Sequence, residues 1–126
     1  MSDAGRTLFS DSWHRVSGEE VRLNPAVQVH RHTSRGRVWY LLRDPLNNEF
    51  FRGSAPAYAF LGRLRPGRTV DQVWRECLAL DPAEAPGQDE VIRLLSQLHR
   101  ANLLHSPVAP DAVQLFRRQT RARGKR

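Results

Sequence analysis

The spacing of hydrophobic and polar positions changes twice along this chain. Residues 1–25 are polar, carry Gly5 and Gly18, and show no sustained period. They read as an extended arm with Leu8, Phe9, Trp13 and Val16 as anchors onto a body. From Val27 the period is two. Val27, Val29 and Arg31 alternate with Gln28, His30 and His32, which predicts a half-buried strand. Thr33-Ser34-Arg35-Gly36 forms a turn, Gly36 supplying any positive φ it needs. The run VWYLL at 38–42 is apolar and rich in β formers, and predicts a central strand. Asp44-Pro45 stops it, Asn47-Asn48 reverses the chain, and residues 49–52 make a short third strand.

After Ser54 the period becomes helical. Ser54 is placed to cap a first helix, and Pro56 falls in its first turn, where a missing N–H costs nothing. Tyr58, Leu61 and Leu64 share a face, and Pro66-Gly67 ends the helix. Thr69 with Gln72 is a capping box for a second helix, whose buried stripe is Val70, Val73, Trp74, Cys77 and Leu78. Residues 81–87 hold two prolines and read as a loop. A third helix over 88–102 puts Val91, Leu94, Leu95, Leu98 and Ala101 on one face, the clearest amphipathic signal in the chain. Pro107 and Pro110 break it, and Asp111 is placed to cap a last helix that runs into the basic end. Strands come before helices, so the expected class is α+β: a three-stranded antiparallel sheet followed by a three-helix bundle, winged-helix-like. The 126 residues divide into an arm (1–25), a body (26–106), and a C-terminal helix with a basic tail (107–126).

Charge changes that picture at one end only. The net charge is +7, and Arg117, Arg118, Arg121, Arg123, Lys125 and Arg126 supply six of it. The preceding 116 residues are nearly neutral. One cysteine, Cys77, excludes an internal disulfide and favours a reducing compartment. The start has no secretory pattern, and no run approaches the ~20 apolar residues that span a bilayer. The stretch predicts a soluble chain.

Several runs resemble a known family. VWYLLRDP, EFFRGSAPAYAFLGRLRPGRTVDQVW and DEVIRLLSQLHRANLL, together covering most of residues 24–104, resemble the PqqD-like peptide-binding modules, also called RiPP recognition elements. The entry to the second helix, Gly67-Arg68-Thr69-Val70, is similar to that family's Gly-x-x-Thr-Val pattern. Leaving the third strand, the chain has Phe51-Arg52-Gly53-Ser54 where typical peptide binders have Leu-Asn. FSDSWHRV, VHRHTSRGRVWYLL and PDAVQLFRRQ extend the likeness to the cytosolic N-terminal region of a bacterial membrane zinc metallopeptidase of the site-2-protease type. The resemblance implies a PqqD-like winged-helix body (26–106), a juxtamembrane tail, and a chain that is a fragment of a longer protein. It also implies a location on the cytoplasmic side of the bacterial inner membrane, with zinc in the parent peptidase and no cofactor in this segment.

The candidate chemistry is sparse. No HExxH is present, so the peptidase chemistry that the resemblance implies lies outside this segment. His30 and His32, at i and i+2 on a strand, point the same way as a metal pair would, but no third Cys or His partner has ligand spacing. Cys77 falls on an apolar helical stripe, which suits a buried structural thiol. His14 and His99 have no nucleophile marked beside them. A winged-helix DNA reader would offer Arg93, Gln97 and Arg100 from the third helix. Asp81, Glu84, Asp89 and Glu90 crowd that helix's approach and the body is nearly neutral, so nucleic acid is not the expected partner. A peptide or protein partner is. A short third strand at a sheet edge exposes unpaired N–H and C=O groups along Glu49, Phe50, Phe51, Arg52 and Gly53. Val91, Leu94, Leu95 and Leu98 then serve as the groove's wall, or equally as core. The tail's six basic residues predict a contact with the anionic membrane surface.

Overall fold

The computed structural model describes residues 8–105 and 107–124. Three strands, β1 (Gln28–Ser34), β2 (Arg37–Asp44) and β3 (Glu49–Ser54), form an antiparallel sheet in that order. Four helices follow: α1 (Ala55–Leu61), α2 (Val70–Leu80), α3 (Gln88–Arg100) and α4 (Pro110–Gly124). The α+β class and the antiparallel three-stranded sheet are therefore present. The helix count is four, not three. The last helix is not an appendage, because Ala112, Leu115 and Phe116 are buried and the Ser96 hydroxyl donates to the Phe116 carbonyl at 3.1 Å.

Local chemistry places the elements. Arg35 and Gly36 both have positive φ (53° and 77°), as the two central residues of a type I′ hairpin turn require. The Asp44 carboxylate, 1 % exposed, organises the β2–β3 turn by accepting from the Leu46 N–H (2.9 Å) and the Asn47 amide (2.8 Å). Ser54 caps α1 by accepting from the Ala57 N–H. At α2 both bonds of the Thr69–Gln72 capping box are made, at 2.9 and 3.1 Å.

The core is mostly helical. Trp74, Phe60, Leu61, Ile92, Leu95, Leu98 and Leu103 are among its largest fully buried side chains, and from the sheet Leu42 joins them. Residues 8–25 belong to this core too. A 3-10 turn at Trp13–Arg15 places Trp13 against Trp74, with ring centroids 5.5 Å apart. Val16 and Val21 are also buried. The Glu19 and Ser17 carbonyls accept from the N–H groups of Val70 and Asp71, and so serve the first turn of α2. A bridge between Leu23 and Leu104 straps the segment to the chain after α3. Of the expected anchors, Trp13 and Val16 are buried and Leu8 packs on the core, while Phe9 is exposed but lies edge-on to Trp74.

β1 departs from expectation. All seven of its residues are exposed, including Val29, which stands opposite the fully buried Leu42. The reason is position: α1 packs on β2 and β3, which leaves β1 overhanging the core.

Candidate peptide-binding edge

β3 pairs with β2 on one side only, so its other backbone edge is open. The pairing fixes which side chains go where. Phe51 and Gly53 stand opposite Leu42 and Tyr40, and so share the core side. Tyr40 stacks on Tyr58 of α1 there, at 4.2 Å. Phe50 and Arg52 point to the outer face, where Phe50 is 65 % exposed. Gly53 makes room for its neighbour. A Cβ at that position would lie 2.8 Å from the Phe51 ring.

Beside the open edge runs a groove of about 570 Å³, lined by Glu49, Phe50, Phe51, Arg52, Gln97, Arg100 and Ala101. Four of the five expected strand residues therefore line one cleft, and Gly53 lies behind it. Of the two readings of the α3 stripe, the structure has the core one. Val91, Leu94, Leu95 and Leu98 are 0–6 % exposed and belong to the core. The cleft's helical side is instead the end of α3, Gln97 and Arg100, with its C-cap Ala101. The largest apolar stripe on a helix is the one the protein itself covers, so the usable wall is the mixed end of that helix. Arg52 and Arg100 give this cleft two guanidinium groups against one carboxylate, Glu49.

A larger groove, about 650 Å³, lies at the hairpin end of the sheet, between Arg37, Val38 and Trp39 and the loop carrying Glu84. It touches β3 only at Ser54, so no open strand edge runs along it.

The remaining candidates are dispersed. His30 and His32 are exposed opposite Leu41 and Trp39. Among the described residues no three His, Cys, Asp or Glu side chains converge as a metal site would require. Cys77 is buried and free, and burial pushes its thiol pKa up, away from nucleophilic thiolate. Arg93 and Arg100 are exposed and Gln97 is half-buried. Asp111 stands in the first turn of α4 and bonds Arg15 at 2.9 Å. Arg117 and Arg118 are exposed on α4, the backbone at Arg121 and Arg123 continues the helix, and Lys125 and Arg126 lie outside the described residues, as do residues 1–7 of the expected arm. No described helix is long and apolar enough to cross a membrane. Comparison with known proteins finds no matching family model, no matching curated protein and no matching solved structure.

Proposed function

We propose that this chain is a non-catalytic peptide-recognition module that takes an extended peptide as a fourth strand on β3. The observation that carries the reading is the coincidence of an open strand edge with a cleft walled by Gln97, Arg100 and Ala101. Backbone hydrogen bonds along β3 supply affinity, and alternate side chains of the peptide supply selectivity. Those on the core side meet the α3 wall, where Arg100 favours an acidic residue. Those on the outer side meet Phe50 and Arg52. The resemblance to PqqD-like modules of membrane zinc metallopeptidases supports the same reading. It adds a setting, in which the domain presents a peptide or partner to a peptidase on the cytoplasmic side, and the basic tail rests on the membrane surface.

Amide chemical shifts recorded while titrating peptides encoded beside the gene test this. Shifts are expected along residues 49–53 and at Gln97, Arg100 and Ala101. Shifts confined to the far groove at Arg37 and Glu84 would sink the proposal.

A further inference from the structure

The outer face of the sheet carries chemistry that reaches beyond the peptide edge, with which it shares only Phe50 and Arg52. The register puts His30 and His32 of β1, Arg37, Trp39, Leu41 and Arg43 of β2, and Phe50 and Arg52 of β3 on one side. No acidic residue of the sheet shares it, although Glu84 and Glu90 line the groove beside Arg37 and Trp39. The two acids of the sheet, Asp44 and Glu49, are register partners on the opposite side, and Asp44 is consumed by its turn. Among the described residues Arg37, Arg43 and Arg52 make no ion pair, although Arg15, Arg63, Arg68 and Arg75 elsewhere all do. The face is open to solvent: both histidines and all three arginines are exposed, while Trp39 and Leu41 are half-buried.

We infer that this face is a binding platform for single-stranded nucleic acid. Two requirements meet here that no simpler anion has. The guanidinium groups need a partner that brings several negative charges over the ~20 Å separating Arg37 from Arg43 along β2. Between them on β2 stand Trp39 and Leu41, and the Trp39 ring suits a partner with planar faces. The Arg52 guanidinium already lies over the Trp39 ring, 4.4 Å from its centroid, as an ordered planar cation on which a base stacks. Phe50, 65 % exposed, offers a second ring, one that an added peptide strand would also reach. An acidic peptide would meet the charges but not the rings. An anionic bilayer would need apolar side chains that stand clear of the surface, whereas Trp39 and Leu41 are half-buried. A duplex hides its bases' faces inside the stack.

The test must separate this face from the basic tail, which attracts any polyanion. Tryptophan emission does so, because Trp13 and Trp74 are 8 % and 2 % exposed, whereas Trp39 lies under Arg52, where a base stacked on that guanidinium perturbs it. The full chain is titrated with oligo(U) and oligo(dT) of about 12 nucleotides, a duplex of equal length, polyglutamate, and anionic vesicles. Expected results are quenching by the single strands alone, its loss in Trp39→Phe, and roughly tenfold weaker binding in Arg37→Gln/Arg43→Gln. The slope of log K against log salt is expected to fall by about 1.4 in that double variant, two phosphate contacts at ~0.7 each. Phe50→Ala, which leaves the charges intact, is expected to weaken binding severalfold with no change of slope. Equal quenching by polyglutamate or duplex overturns the proposal, as does a Trp39 blue shift on vesicles without an effect of the single strands. So does oligonucleotide binding that leaves Trp39 emission unchanged, since the tail alone then accounts for it.

Discussion

In the helical half of the molecule four arginines are held by carboxylates: Arg15 by Asp111 at 2.9 Å, Arg75 by Asp71 at 2.7 Å, and Arg63 and Arg68 together by Glu76 at 3.4 Å, while Arg65, Arg93, Arg100, Arg117 and Arg118 stand exposed. Across the sheet, Arg31, Arg35, Arg37, Arg43 and Arg52 face solvent without such a partner among the described residues. The tryptophans divide the same way. Trp13 and Trp74 are buried and each donates its indole N–H, to Asp71 and to the Pro86 carbonyl respectively, both at 2.8 Å. Trp39 lies half-open under Arg52. One half commits four arginines and two tryptophans to holding itself together. The other leaves the same residue types available, and residues kept available at a rigid surface are the ones a partner can use.

The largest difference between the halves is expected in their tryptophans. Trp74→Ala removes a fully buried indole and strands the Pro86 carbonyl, so a loss of about 3–5 kcal/mol is expected. Trp39→Ala gives up an exposed cation–π contact and partial packing, about 1 kcal/mol. Urea unfolding of the two variants checks the ratio. Equal losses would mean that the sheet is as much a structural core as the helices, and the contrast would fail.

Next comes the Trp13–Asp71 contact, which joins the N-terminal segment to α2. Burial alone would raise the Asp71 pKa, but the hydrogen bonds from Trp13 and Arg75 and the Arg75 charge outweigh it and hold the carboxyl below its ordinary value of 3.8. A carboxyl whose pKa is depressed on folding stabilises the fold above its unfolded pKa, and that contribution is lost as pH falls through the folded value. Trp13→Phe is therefore expected to cost about 1–2 kcal/mol at neutral pH and to lose less further stability than wild type on acidification below about pH 4. Denaturant midpoints across that pH range read it out. A Trp13→Phe profile parallel to wild type would show that the indole does not hold the carboxylate.

A third comparison concerns local signals. Thr69→Ala breaks one bond of the capping box and is expected to cost about 1 kcal/mol, measured by thermal unfolding. That cap was legible in the sequence because a capping box is a matter of spacing within four residues. The same holds for the VWYLL strand, the Gly36 turn and the Ser54 cap, each set by neighbours in the chain. What the sequence did not disclose depends on distance through space. The stripe of Val91, Leu94, Leu95 and Leu98 marks an apolar face, but only the tertiary fold shows that the protein covers it and leaves Gln97, Arg100 and Ala101 as the wall. The alternation in β1 suits half-burial, yet α1 packs on β2 and β3 and leaves all seven β1 residues exposed. Nor does composition show which arginines meet a carboxylate. Asp111 lies 96 positions from Arg15, while Arg43 sits beside Asp44 in sequence and, by strand alternation, on the opposite face of the sheet.

The smallest expected effect is the most discriminating. Arg15 is only 13 % exposed at its side chain and bonds both the Asp111 carboxylate and its carbonyl, so Arg15→Ala is expected to lower stability by about 1 kcal/mol. Arg37→Gln/Arg43→Gln removes two exposed charges that hold nothing in the folded chain. Its unfolding free energy is expected to match wild type within about 0.5 kcal/mol, with any shift upward as repulsion across the sheet is relieved. Low salt makes that shift most visible, since like charges on one face are screened beyond ~10 Å at 0.1 M. A loss above about 1 kcal/mol would show that these guanidinium groups pack or pair within the fold, and that the sheet spends its arginines as the helices do. An unchanged or raised stability, alongside weakened binding of single strands, separates the two uses of one residue type within a single small domain.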